Sequence, residues 1–268
     1  MSASAMARTA MAVALAVGAV AAPAAVDTTK GTWFGTDGTD GTLRGRDASG
    51  NPVSLLVSGT PNPALKYVYD TALDLTWLAD WNAGAGSSFD NGSSSTDGRM
   101  TWSSATAWAA ALTDFGGGWS LPGVTDIGND GCNYGSNGTD CGFNVDTSGS
   151  PLAHMYYVTL GNLAYHDTSG SGPQDGWGLK NAGPFSDMLS TESVAYWSGT
   201  PHTQAPSAYA WYFYTLNGYQ HFSQQSSYYY AVAVRPGDVF AVPEPASVVM
   251  LLAGLGAVGA AVRRRRKR

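Results

Sequence analysis

The chain has 268 residues, 44% of them apolar and only 13% charged, which allows a real hydrophobic core and excludes global disorder. Its 34 glycines, with dense Ser, Thr and Asn, suit a loop-rich extracellular fold better than a helical cytosolic enzyme. The formal net charge of −6 hides a separation: Arg8 and the six cations of 263–268 sit at the ends, while residues 26–242 hold 7 Lys and Arg against 18 Asp and Glu192, a net charge of −12. Such a surface repels anionic polymers, which argues against nucleic acid as a partner.

Residues 1–25 read as a secretory signal helix. Arg8 gives the positive start, Ala10 to Ala22 the apolar stretch, and Ala22-Pro23-Ala24-Ala25 the small residues for cleavage. Residues 26–65 form an arm rich in Thr, Gly and Asp. In it Thr42 to Asp47 and Val53 to Val57 are expected as short strands around the turn Asp47 to Asn51. Lys66 to Trp77 alternates as a strand pair broken at Asp70-Thr71, and Asn82 to Gly98 is a polar surface loop.

Thr101 to Phe115 has the clearest helical spacing. Ala105, Trp108, Ala109 and Leu112 share a face, Thr101 or Ser103 caps the start, and Gly116-Gly117-Gly118 ends it. Trp119 to Pro122 is a short extended piece, and Pro151 to Leu160 predicts a second helix with Leu152, Met155, Tyr156 and Leu160 on one side. From Ala195 the pattern is β: Tyr196 to Thr200, Ala210 to Leu216, an Asn217-Gly218 turn, Gln220 to Gln224 and Tyr229 to Arg235.

The last 27 residues, 242–268, form an ordered trio. Pro243-Glu244-Pro245 is stiff and non-helical. Ala246 to Val262 carries no charge over 17 residues, roughly 25 Å as a helix, so it predicts a short transmembrane segment. Residues 263–268 are all Arg or Lys and stay cytoplasmic, leaving the domain outside. This order resembles the PEP-CTERM sorting signal of Gram-negative bacteria. The resemblance implies cleavage near Pro243, Glu244 and Pro245 by an exosortase as processing partner. It also implies a host that makes extracellular polysaccharide, and release to the cell surface or matrix.

Residues 66–237 resemble the Lcl C-terminal domain family. The landmarks are Leu75-Thr76-Trp77, Thr101 to Ala105, Gly118 to Pro122, Tyr196 to Thr200, Ala210 to Tyr212, and Val234-Arg235. Ser120 stands where that family usually has Arg, and its frequent Cys near the final Val-Arg is absent. The resemblance implies a C-type-lectin-like fold, also similar to formylglycine-generating enzymes. The expected architecture is a single α+β domain with two helices, antiparallel strands and long loops.

Candidate chemistry is sparse. Cys132 and Cys141 are the only cysteines and, in an oxidising compartment, are expected to form a disulfide. Asp126, Asp130, Asp140 and Asp146, with Asn129 and Asn144, crowd the same loop and offer oxygens suited to calcium, although Asp and Asn also make turns without metal. His154, His166, His202 and His221 are scattered, no Gly-x-Ser-x-Gly elbow is present, and Glu192 has no evident partner carboxylate. The aromatic strands near the C-terminus offer Trp197, Trp211, Tyr214 and Tyr219 as a ligand face for sugar rings; cross-strand packing is the competing use of the same residues. The reading is therefore a non-enzymatic binding module for glycan, such as exopolysaccharide, or for another envelope component. The alternatives are an extracellular hydrolase with its site in the Asp-rich loop, and a purely structural matrix protein.

Overall fold

A computed structural model describes residues 26–34, 41–128, 139–190 and 194–239. The fold is α+β, with antiparallel sheets and two short helices. The signal helix and the sorting tail lie outside the described residues. Ten strands follow in order: β1 (Leu43–Arg46), β2 (Pro52–Val53), β3 (Leu56–Val57), β4 (Thr60–Pro61), β5 (Tyr67–Asp70), β6 (Leu75–Leu78), β7 (Ala195–Pro201), β8 (Tyr209–Tyr214), β9 (Tyr219–Gln224) and β10 (Val234–Pro236). They form a five-stranded sheet in the order β10-β6-β5-β1-β2, a three-stranded sheet β7-β8-β9, and the small pair β3-β4.

The centre of the five-stranded sheet is buried on both faces. Successive strand residues point to opposite sides, and the register pairs Tyr67 with Leu78 and Val68 with Trp77. Val68 and Trp77 join a core with Leu152, Tyr156, Tyr196 and Phe213. Tyr67 and Leu78 join another with Trp108, Trp119 and Trp197. The hairpin between these strands turns at Asp70, whose Oδ1 accepts from the Ala72 and Leu73 amides. Residues 26–65, read as an arm, are part of this body. β1 lies between β5 and β2, and Trp33, Leu43, Leu55 and Leu65 are buried in the first core. The expected strand 53–57 is split into β2 and β3, because Asp47 closes its turn by accepting from the Ser49 and Asn51 amides and pairs only Pro52–Val53 with β1.

Helix α1 (Trp102–Ala111) starts at Thr101, whose hydroxyl accepts from the Ser104 amide. It buries Ala105, Trp108 and Ala109. It stops well before Phe115, correcting the longer expectation. Leu112 is already extended, Asp114 accepts from the Tyr67 hydroxyl, and the Trp119 indole donates to the Asp114 carbonyl. After this break the chain makes a single 3-10 turn, Asp114–Gly116, in which Phe115 adopts φ +55° and its ring meets that of Tyr67 at a T-shaped angle. Helix α2 (Pro151–His154) is capped by Ser150 and widens into a π turn, Met155–Thr159. Leu152, Met155, Tyr156 and Leu160 are all buried, as the spacing predicts.

The sheets are joined through the C-terminal segment. The Trp197 amide donates to the Tyr230 carbonyl and the Tyr230 amide to that of Ala195. The chain then enters β10 beside β6, with Ser120 bonded to Val234 on its far side.

Candidate functional site

The three-stranded sheet presents two unlike faces. Its register aligns Ala195, Tyr214 and Tyr219 in one row, and Trp197, Tyr212 and His221 in the next. Tyr196, Phe213 and Gln220 point the other way and are buried. On the outer face Tyr229 covers Trp197 at a centroid distance of 4.7 Å and meets Tyr212 at 5.0 Å. Ala195 contributes only a methyl group to its row, so a gap remains beside Tyr214. The result is an open concavity of about 340 Å³ lined by Ala195, Tyr212, Tyr214, Asn217, Tyr219 and Tyr229. That volume lies at the lower end of small-molecule sites, ~300–1,000 Å³. No charged side chain lines it.

Asn217 reaches the rim because the β8–β9 connection is a four-residue loop, 215–218, closed by the Tyr214–Tyr219 pair. Asn217-Gly218 forms its last two residues rather than a two-residue turn. Gly218 takes φ +75° there, and a Cβ at that position would come within 2.5 Å of the Tyr157 hydroxyl.

Of the four aromatic residues expected on the ligand face, the fold brings Tyr214 and Tyr219 together. Trp197 and Trp211 are 0% and 2% exposed and offer no stacking face. Trp211 is an odd number of residues from Tyr214 and so lies on the opposite side of β8. Its indole donates to Asp126 at 2.9 Å. Tyr212 and Tyr229 take the places of the two tryptophans. The period-two alternation was the signal for Tyr212, which is two residues before Tyr214. Tyr229 lies outside the paired strands, and only the tertiary fold carries it to the site.

The acidic loop is built differently. Asp126 is a bracket: Oδ1 accepts from the Gly128 amide and Thr203 hydroxyl, and Oδ2 from the Thr203 amide and Trp211 indole. Burial pushes its carboxyl up, but the donors from Thr203, Trp211 and Gly128 outweigh that effect and hold it below the usual carboxylate value. The Ser148 amide and hydroxyl lower Asp146 likewise. Asp140 is 6% exposed and accepts from the Ile127 amide. Asp140 and Asp146 both line a cavity of about 130 Å³ with Gln220 and Thr125; Asp126 does not line it. Asp130 and Asn129 lie outside the described residues. Among the described residues no group of three or more His, Cys, Asp or Glu is placed to hold a metal ion. No free cysteine occurs among them, and Cys141 is 2% exposed. Its expected partner Cys132 lies outside them.

The histidines are used in packing and backbone bonds. His166 and His221 pair through Nδ1 with the carbonyls of Gly170 and Phe222. His202 packs on the Phe222 ring at 3.9 Å, and Nε2 of His154 is buried. His154 lies near the Asp70 carboxyl, whose charged form it favours. Glu192 lies outside the described residues.

The folded body is fastened at its C-terminal end. Arg46 grips Asp238 with Nε at 3.0 Å and Nη2 at 2.5 Å. The Thr76 hydroxyl donates to the Gly237 carbonyl at 2.7 Å, and Val239 is 3% exposed. Among the described residues no helix is long and apolar enough to cross a membrane. No curated protein and no solved structure matches the chain. Residues 241–266 match the family described as the PEP-CTERM protein-sorting motif. The match begins two residues after Val239, the last of the described residues. The motif directs an exported, membrane-anchored chain to processing by an exosortase and to extracellular sorting.

Proposed function

We propose that the exported domain is a non-enzymatic binding module of the cell surface or extracellular matrix, and that it seats an uncharged glycan in the tyrosine concavity. The observation that carries the reading is the lining itself: four tyrosines and Asn217, with no charged group. Flat apolar rings suit the C–H faces of a pyranose, and an amide and phenol hydroxyls at the rim suit its hydroxyls. The net charge of −12 over residues 26–242 disfavours polyanions, and sorting delivers the domain to where polysaccharide is found. Two helices, antiparallel sheets and long loops are in keeping with the Lcl resemblance and the lectin-like fold it implies. A Cys132–Cys141 disulfide belongs to the same proposal, supported by the absence of a free thiol at Cys141. The hydrolase alternative would place Asp140 and Asp146 in their shared cavity, which has less than half the concavity's volume.

The test is a glycan-array and exopolysaccharide binding screen of the exported protein, in calcium and in EDTA. Binding that persists in EDTA and weakens roughly 5- to 30-fold in Tyr214→Ala is expected, from the ~1–2 kcal/mol of a truncated aromatic contact. Binding that requires calcium and survives Tyr214→Ala would move the site away from the concavity.

A further inference from the structure

A second cavity, of about 230 Å³, shares no residue with the tyrosine concavity and has a different chemistry. Its place follows from pairing at the end of the five-stranded sheet. The Ala79 amide donates to the Lys66 carbonyl, which carries the β5–β6 pairing one residue further. The Trp81 amide then donates to the Ser186 carbonyl and the Ser186 amide to that of Ala79, so Asp80 and Ser186 lie side by side. The stretch before β5 completes the lining. There the Asn62 side chain donates to the Ser54 carbonyl and accepts from the Ala64 amide. Pro61, Pro63 and Pro184 add apolar surface on a backbone whose φ is fixed and which offers no N–H, and Leu65 adds a further apolar side chain.

The polar groups of this cavity are not all engaged by the protein. Both ends of the Asn62 amide are used. Asp80 accepts the Asn82 amide on Oδ1 at 2.8 Å, which leaves its Oδ2. Among the described residues neither Asp80 nor Lys66 makes an ion pair, although both line the cavity. Asp80 is half-buried and Lys66 exposed. Burial pushes the Asp80 carboxyl up; the Asn82 amide opposes it, the Asp187 charge adds to it, and the Lys66 ammonium opposes it. One full charge of each sign therefore lines an otherwise apolar space without meeting the other. A simple amine would satisfy Asp80 alone and a simple carboxylate Lys66 alone, whereas a small zwitterion satisfies both. The volume is below the ~300 Å³ at which sites for larger ligands begin, which suits one small molecule rather than a chain.

We infer that this cavity binds a free α-amino acid with an apolar side chain. Its ammonium pairs with Asp80, its carboxylate pairs with Lys66 and accepts from the Ser186 hydroxyl, and its side chain packs on the prolines and Leu65. The site stands apart from the glycan reading, and either can fail without the other.

The experiment is calorimetric titration of the exported, processed protein with L-leucine, with isopentylamine, which lacks its carboxylate, and with isocaproate, which lacks its ammonium. L-leucine is expected to bind about tenfold or more tightly than either, because each loss removes charge-assisted hydrogen bonds. Lys66→Met should weaken L-leucine by about tenfold or more and leave isopentylamine unchanged. Asp80→Asn keeps an oxygen for the Asn82 amide and should weaken both L-leucine and isopentylamine. The Lys66 side chain is exposed, so its variant guards against a folding defect in the other. Tyr214→Ala should change none of these affinities. Isopentylamine that binds as tightly as L-leucine, or L-leucine binding unmoved by both cavity variants, would overturn the assignment. So would the absence of binding by L-leucine, L-valine and L-phenylalanine alike.

Discussion

Asp126 offers the sharpest test of whether the acidic loop is architecture or a metal site. Its two oxygens receive four donors, two each. In Asp126→Ala the Trp211 indole, under a side chain 2% exposed, loses its acceptor where water has little access, a cost of about 1–3 kcal/mol. The Thr203 and Gly128 donors lie nearer solvent, where water restores much of their bonding. A total near 3 kcal/mol follows, which for a domain of this size lowers the melting temperature by about 6–12 °C. Asp126→Asn should be almost as damaging, because the amide nitrogen faces two donors whichever way it is turned. The pH dependence has a definite sign. The folded carboxyl is held below its usual value, so its contribution is present above the ordinary carboxylate range and is lost as pH falls through the depressed folded value. Thermal melts of wild type and variant, from neutral pH into acid, should therefore converge. Calorimetry or circular dichroism with and without EDTA checks the rest. A shift below about 2 °C would refute the bracket, and a gap that closes in EDTA would show Asp126 to be a calcium ligand.

Replacing Glu244 by Ala in a host with an exosortase should leave the C-terminal span attached, seen as unprocessed protein on immunoblots; normal processing would remove the basis of the sorting assignment. Arg46→Gln should release the two bonds that fasten Asp238 and cost about 2 kcal/mol, since charge-assisted bonds to a largely buried guanidinium contribute about 1.5–3 kcal/mol. Urea melts would read it, and an unchanged midpoint would show the clamp to be idle. Burial raises the Asp70 carboxyl, with the Ala72 and Leu73 amides and the nearby His154 opposing. A raised folded value means stability present below the ordinary carboxylate range and lost as pH rises through the folded value. Asp70→Asn, which keeps an oxygen for both amides, should therefore gain relative to wild type as pH rises from about 4, and a gap constant with pH would contradict this.

The sequence by itself determined the address and the local elements. Pro243, Glu244, Pro245, the apolar run and the basic end are contiguous, so their order is read without knowing any fold. Thr101 as a cap, the Asp47 and Asp70 turns and the alternation of β8 are short-range too, and each depends on neighbours within a few residues. Tertiary structure decided the rest. It placed Asp114, past the end of α1, against Tyr67, 47 residues away. It drew Trp33 and β1 into the main body instead of leaving an arm. It assigned the aromatic residues to their faces. Composition marked Trp211 and Tyr214 alike, but strand alternation puts them on opposite sides, and only the packing shows that Trp211 is covered, at 2% exposure, while Tyr214 lines the concavity. The concavity depends on a small residue in β7 meeting a tyrosine in β8 and another beyond β9, a juxtaposition that no local pattern encodes because its members are joined by register and packing rather than by spacing along the chain.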